Sequence, residues 1–206
     1  MTPREPTTPL PLSDIPAPPE RGGQPYDLGS LGMAILLLSL SMLFAASIVG
    51  YLVTRGRALE WPPPGTPPLP KGLWLSTGII LVCSVAVQSA VRGARRGRQG
   101  TLEGALMVTA ILGLAFLVSQ WLNWSVLIQR NFTVRSGLMA FLFYFLTGLH
   151  AAHVIGGLIA LGIVTAKAFK GEYSSVYYPG VKYLATYWHF LDFIWLILFG
   201  VLLATA

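Results

Sequence analysis

The distribution of formal charges restricts this chain more than any other feature of its sequence. Most of the chain falls into five long intervals in which Asp192 is the only formally charged residue. A helix that crosses a membrane needs about 20 predominantly apolar residues, and each interval can supply them. The intervals run from Asp27 to Arg55, Lys71 to Arg92, Glu103 to Arg130, Arg135 to Lys167, and Lys182 to the C-terminus. We therefore predict an all-α integral membrane protein, a bundle of five transmembrane helices at about 31–53, 73–91, 104–127, 138–165 and 183–204.

The prolines and the overall composition agree with these five spans. All 15 prolines lie outside them, as expected because proline breaks helix hydrogen bonding. Apolar residues make up 54% of the chain and charged residues 11%, whereas a soluble domain carries about 25% charged residues. Residues 1–30 are predicted to be a proline-rich disordered cytoplasmic arm, residues 31–206 the transmembrane domain, and residues 61–70 a stiff polyproline-like connector.

The positive charges predict the orientation in the membrane. The net charge is +6, but the 14 Lys and Arg residues are spread over short connections and form no basic stripe for nucleic acid. Cytoplasmic connections carry the excess of Lys and Arg in membrane proteins. The arm and the second and fourth connections hold nine of them, and the other side holds five. The N-terminus is therefore predicted to be cytoplasmic and the C-terminus to lie outside.

Three histidines and one aspartate inside the predicted spans are the candidate functional residues. His150 and His153 are three apart in the fourth helix, and His189 and Asp192 are three apart in the fifth. Residues three apart share a helix face, so we predict one intramembrane polar cluster between these two helices. In one interpretation Asp192 accepts hydrogen bonds from His189 or His153 and only locks the helices together.

Three functional interpretations of this cluster stay open beside the structural one, and the first is contact with a lipid headgroup or a partner subunit. Ionisable groups at membrane depth also occur in proton relays. Bis-histidine ligation of a haem or a metal would need facing histidines on separate helices, and no Cys or Met motif supports it. The only cysteine, Cys83, lies in an apolar run and is predicted to be inert. The sequence predicts no catalytic residue and no metal site in this chain.

Small and amide side chains predict how the helices pack. A ridge of small residues at four-residue spacing in the fourth helix is predicted to pack closely against another helix, either within the bundle or on a partner subunit, on the side roughly opposite the histidines. Gln120 and Asn123 in the third helix are expected to make hydrogen bonds between helices, and the second helix is nearly featureless. The ridge consists of Gly148, Ala152, Gly156 and Ala160.

Several segments in order resemble one known family. Thr147-Gly-Leu-His-Ala-Ala-His-Val-Ile-Gly-Gly157 and Tyr187-Trp-His-Phe-Leu-Asp-Phe-Ile-Trp195 resemble the two signature stretches of subunit III of haem-copper oxidases, the cytochrome c oxidase type. The 61–70 connector, the 113–120 segment and Ser136-Gly137 are also similar to that family, and the resemblance covers the chain after about residue 31.

The resemblance implies a five-helix version of a fold whose longer members have seven helices. It implies a non-catalytic subunit of a terminal oxidase in the bacterial plasma membrane, with haem and copper in partner subunits and none in this chain. The family subunit packs on subunit I, within a complex that also holds subunit II, binds phospholipid in a cleft, and supports proton uptake. The family residues that carry over to matching positions of this sequence are His150, His153, His189 and Asp192.

Two departures from the family pattern bear on proton uptake. The family usually has Ser-Glu in the first helix of this version, where this chain has Ser39-Leu40, and Gln-x-x-Glu in the third, where it has Gln120-Trp-Leu-Asn123. Both carboxylates are therefore missing. The electron donor, cytochrome c or quinol, stays open. Alternatives are a quinol oxidase subunit III, a nitric oxide reductase accessory subunit, a small transporter and a membrane-bound cytochrome.

Overall fold

Five long helices account for most of the chain. The computed structural model describes residues 28–205, so the predicted arm before Leu28 lies outside the described residues. All five helices are long and apolar enough to cross a membrane, which confirms the predicted all-helical class. The helices are α1 (Leu28–Arg57), α2 (Gly72–Arg95), α3 (Gln99–Gln129), α4 (Leu138–Phe169) and α5 (Pro179–Thr205).

Each helix is longer than the apolar span from which it was predicted. Residues 28–30, which we assigned to the arm, form the first turn of α1, and α1 continues through Arg55 to Arg57. Apolar residues mark only the part of a helix that lies in hydrocarbon. Basic residues are compatible with the last turn of the helix because they interact favourably with the negative end of its dipole. Pro179 opens α5 instead of preceding it. A proline in the first turn is compatible with a helix because its missing N–H has no intrahelical partner there.

Four of the helices close into a ring, and the fifth lies outside it. Along the ring, α2 packs against α3, α3 against α4, α4 against α5, and α5 against α2, whereas α1 contacts only α4 and α5. Large apolar side chains such as Leu38, Trp74 and Ile159 point outward on all sides. This apolar surface is compatible with lipid as the surrounding solvent. Most buried polar groups lie between the helices of the ring instead.

The proline-rich connector ties the ends of α1 and α5 together. No helix forms between Arg57 and Gly72, which agrees with the prediction that this segment is not a sixth span. The Trp61 indole N–H donates to the backbone carbonyl of Thr205 at 2.8 Å. The Tyr51 hydroxyl and the Thr205 hydroxyl are 2.6 Å apart in a hydrogen bond. The connector therefore helps to hold the peripheral helix against the ring.

Candidate functional site

The four ionisable residues predicted to form one cluster do not share one set of contacts. His150 and His153 lie on α4, and His189 and Asp192 lie on α5, as predicted. The rings of His150 and His153 both lie near Phe44 of α1, but the other contacts of the four side chains are with different helices.

Aromatic side chains surround the His150 ring inside the helix ring. His150 is 1% exposed, and its ring centroid lies 5.1 Å from that of Trp195 and 5.6 Å from that of Phe116. Its Nδ1 has no hydrogen-bond partner among residues 28–205. Packing against aromatic rings therefore positions His150, and no bond to Asp192 does so.

His153 faces the peripheral helix. Its Nδ1 is 2.7 Å from the backbone carbonyl of Leu149, which can only accept, so Nδ1 carries the hydrogen. The ring centroid lies 5.2 Å from that of Phe44 on α1. The Tyr187 hydroxyl donates to the backbone carbonyl of His153 at 3.0 Å and links α4 to α5 at this level. His153 is therefore part of the contact of α1 with the ring.

His189 joins α5 to α2 through both of its ring nitrogens. Nε2 lies 3.2 Å from the Gln88 carbonyl oxygen, which accepts, so Nε2 carries the hydrogen. Nδ1 lies 2.7 Å from the Ser84 hydroxyl and accepts from it. Because Ser84 and Gln88 are four apart on α2, they meet the same ring from one helix face.

The prediction that a histidine donates a hydrogen bond to Asp192 is wrong. Both ring nitrogens of His189 bond to α2, and the Nδ1 of His153 bonds to its own helix. Asp192 is 7% exposed, the Ser84 side chain lies near its carboxyl, and its Oδ2 has no partner in the described part of the chain. Spacing along α5 correctly placed Asp192 beside His189 but could not show that α2 would engage both.

A nucleophilic triad uses the same residue types as Ser84, His189 and Asp192, but the geometry of these three residues differs from that of a triad. In such a triad a carboxylate orients the histidine through one ring nitrogen while the other nitrogen takes the serine proton. Here Gln88 occupies the nitrogen that the carboxylate would need, and Asp192 lies near the serine instead. The arrangement joins α2 to α5 and lacks the carboxylate-to-histidine bond of a triad.

The second helix contributes more than its sequence suggested. We predicted it to be nearly featureless, yet it supplies Ser84 and Gln88 to His189, and its Thr77 hydroxyl accepts the indole N–H of the buried Trp195 at 3.0 Å. The spacing of Ser84 and Gln88 was a signal that could have found this face, because polar residues four apart in a span share one side of the helix.

The predicted ridge does not pack within the chain. Ala152, Gly156 and Ala160 are exposed, and a Cβ built on Gly148 would meet no atom within 4 Å. Nor does the ridge lie opposite both histidines, because His153 lines the same cleft as Gly156 and Ala160. Small residues allow close packing only where another helix faces them, and sequence spacing does not show which side that is.

Other glycines do lie close to neighbouring helices. A Cβ on Gly113 would lie 2.9 Å from atoms of Leu158 and Trp188, and a Cβ on Gly157 would lie 3.0 Å from the Tyr187 ring. A larger residue at either position would have to displace these side chains, so α3 and α5 both come close to α4 here.

An open apolar cleft of about 550 Å³ separates α1 from α4 and α5. Leu36 and Leu40 of α1 form one wall, and Gly156 and Ala160 of α4 face them. His153 and Tyr187 add polar atoms at its edge. The volume and the lining suit a flexible apolar chain entering from the surrounding membrane.

The two amides of α3 behave differently from each other. Asn123 donates from Nδ2 to the Ser76 hydroxyl at 3.2 Å, and Ser76 and Ser119 are 2.8 Å apart, which confirms the expected hydrogen bonding between helices for Asn123. Gln120 is 1% exposed, and neither of its side-chain polar atoms has a partner within residues 28–205. The expectation for Gln120 is therefore wrong.

The histidines do not converge on a common point that a haem or a metal ion could occupy. The side chains of His150, His153 and His189 contact the ring interior, α1 and α2 respectively. In the part of the chain that the structure describes, no three His, Cys, Asp or Glu residues are grouped to hold a metal ion, and Cys83 is buried with a free thiol.

Comparison with known proteins places this fold in a family. The family model described as "Cytochrome c oxidase subunit III" matches residues 28–204, which include nearly all of the five helices. The chain belongs to the cytochrome c oxidase subunit III family. The resemblance seen in the sequence is thereby confirmed.

Curated relatives of the subunit III chain come from several bacterial groups. It is 32% identical over 177 residues to "Cytochrome c oxidase subunit 3" of Thermostichus vulcanus, covering 85% of this chain and 87% of the relative. It is 34% identical over 175 residues to the protein of the same name from Synechocystis sp., covering 84% and 74%. It is 30% identical over 174 residues to "Probable cytochrome c oxidase subunit 3" of Mycobacterium leprae, covering 84% and 86%.

Membership in the subunit III family changes how the polar residues are understood. Subunit III chains are parts of an oxidoreductase complex, so partner subunits are implied. A small transporter and a membrane-bound cytochrome lose their basis as interpretations.

Proposed function

We propose that this chain is the non-catalytic subunit III of a bacterial haem-copper terminal oxidase that passes electrons from cytochrome c to oxygen. The observation that carries the proposal is the family match over residues 28–204, in a fold whose described histidines do not converge on one point. Haem and copper belong to partner subunits in this proposal. Subunit III packs directly on subunit I and helps to keep it stable and active.

The proposed setting is the bacterial plasma membrane, with the N-terminus in the cytoplasm and the C-terminus outside. Five helices of sufficient apolar length support a multi-pass protein. The excess of Lys and Arg, nine against five, supports the orientation.

Phospholipid is the proposed occupant of the cleft beside α1. The cleft is open on one side and apolar, and Gly156 and Ala160 leave space where larger side chains would fill it. Because the acyl chain would come from membrane hydrocarbon and not from water, van der Waals packing against the cleft walls would hold it there. Lipid in this place would also fill the gap between the peripheral helix and the ring.

Support of proton uptake is proposed as an effect on subunit I and not as proton transfer through the two family carboxylate positions. Leu40 lines the apolar cleft, and Asn123 is held by Ser76. Neither residue can carry a proton. Subunit III would act by holding the neighbouring subunit and its lipid in place.

Purification of the tagged chain from its own membrane in mild detergent tests the assignment. We expect subunits I and II to co-purify, with haem and copper absorbance in the complex. Copper in subunit II would identify cytochrome c as the donor, whereas an oxidase whose subunit II lacks copper would favour quinol. Recovery of the chain with no oxidase subunit would refute the proposed function.

The lipid assignment has a matched pair of variants on one helix face. Ala160→Phe fills the cleft, whereas Ala152→Phe places the same side chain at an exposed position outside the cleft. Mass spectrometry of lipid retained by the purified complex should show a loss for Ala160→Phe and no change for Ala152→Phe. Equal retention by both variants would refute the cleft as the lipid site.

A further inference from the structure

The seam between α2 and α5 exposes hydrogen-bonding groups at a depth where lipid cannot satisfy them. Ser84, Gln88 and His189 are all partly exposed. At a rise of 1.5 Å per residue, Gln88 lies about 10 Å from the Arg95 end of α2, and Ser84 lies near the middle of the helix. The hydrocarbon core is about 30 Å thick, so both residues lie within it.

Several outward-facing hydroxyls in the described helices are satisfied by their own helices. The Ser39 hydroxyl donates to the Ile35 carbonyl at 2.9 Å, and the Thr186 hydroxyl to the Lys182 carbonyl at 3.0 Å. A hydroxyl bonded in this way can face hydrocarbon with little loss. Such residues give no sign of a partner.

Gln88 differs from these residues because only one of the two polar groups of its side-chain amide has a hydrogen-bond partner. Its carbonyl oxygen accepts from His189, but its Nε2 group makes no hydrogen bond to any described residue. The carbonyl oxygen is engaged by His189, and a lipid tail offers no acceptor for the N–H₂ group. Polar groups at this depth otherwise face protein or a water-filled cavity.

We infer that the α2–α5 seam, defined by Ser84, Gln88 and His189, is the face on which a transmembrane helix of another oxidase subunit docks, with a hydrogen-bond acceptor placed against Gln88 Nε2. The inference rests on the proposed function, since the partner is taken from the same complex. It adds the face and the chemistry of the contact. The partner helix covers the amide that lipid would leave unpaired.

Photo-crosslinking from exposed positions tests this face without disturbing the polar contacts. Val85 is 64% exposed one turn from Gln88, and Phe193 is 61% exposed one turn from His189. Leu38 on α1 and Ile159 on α4, each 64% exposed, are matched controls on other faces. Benzoylphenylalanine would replace each residue singly in the full chain, expressed with the rest of the complex, and membranes would be irradiated before purification.

We expect Val85 and Phe193 variants to form adducts with one membrane subunit of the oxidase, at several-fold higher yield than Leu38 and Ile159 variants. An intact complex with no protein adduct at the seam, with equal yields from all four positions, or with adducts only to a second copy of this chain would overturn the inference alone. If the unmodified chain recovers no oxidase subunit, the proposed function and this inference both fail.

Discussion

The hydrogen bond between Ser84 and His189 permits a sharp test of how α2 and α5 are held together. Ser84→Ala removes the hydroxyl that lies 2.7 Å from His189 Nδ1 and near Asp192. A hydrogen bond contributes about 0.5–1.5 kcal/mol, and a buried group left unpaired costs about 1–3 kcal/mol. Because His189 is only partly buried, the penalty for its unpaired Nδ1 is reduced, and we expect the free energy of unfolding to fall by about 0.5–1.5 kcal/mol.

Ser89→Ala is the matched control on the same helix. Ser89 is partly exposed like Ser84, but its hydroxyl donates to the Val85 carbonyl of its own helix at 2.9 Å. Its loss touches no other helix, so the change should stay within about 0.5 kcal/mol. The free energy would be measured by reversible unfolding of the purified chain in mixed micelles of mild and denaturing detergent.

A second background separates the bond from other effects of the substitution. In His189→Phe chains the acceptor of the Ser84 hydroxyl is gone, so most of the cost of Ser84→Ala should disappear. The difference between the costs in the two backgrounds, which is the coupling energy of Ser84 and His189, should be about 1 kcal/mol. Equal losses for Ser84→Ala and Ser89→Ala, or an undiminished loss in His189→Phe, would refute the assignment of this bond.

Three other outcomes follow from the packing and the charges. Gly93→Ala should lower the free energy of unfolding by about 1–3 kcal/mol, because its Cβ would lie 2.8 Å from the backbone of α3, while Gly100→Ala, with open space around it, should be neutral or stabilising in the same detergent assay. A hydrophobic carbodiimide should label Asp192 in preference to the other acids of residues 28–205, which are Glu60, Glu103 and Glu172 and lie outside the predicted spans, and peptide mapping that finds more label on one of these would show the spans to be wrong. Trp61→Phe should cost about 1 kcal/mol by removing the hydrogen bond to the last carbonyl of α5, and faster proteolysis near the connector in limited digests would report it, whereas unchanged digestion would count against that tie.

The number and the placement of the helices were determined by sequence alone. In hydrocarbon every backbone polar group must be paired within the chain, so an apolar interval of this length becomes a helix. The connector was also predictable, because a segment with six prolines between Pro62 and Pro70 cannot form a helix. The family was also readable, because its signature stretches keep their order in the chain.

The rotation of each helix was decided only by the tertiary structure. In a soluble protein the polar face of a helix points to water, but here lipid and protein interior are both apolar, so periodicity does not distinguish outward from inward. The ridge at Gly156 was therefore assigned to a packed face, while Gly113 and Gly157 lie close to neighbouring helices. In the same way the sequence placed Asp192 beside His189, but only the packing of α2 against α5 brought Ser84 to both.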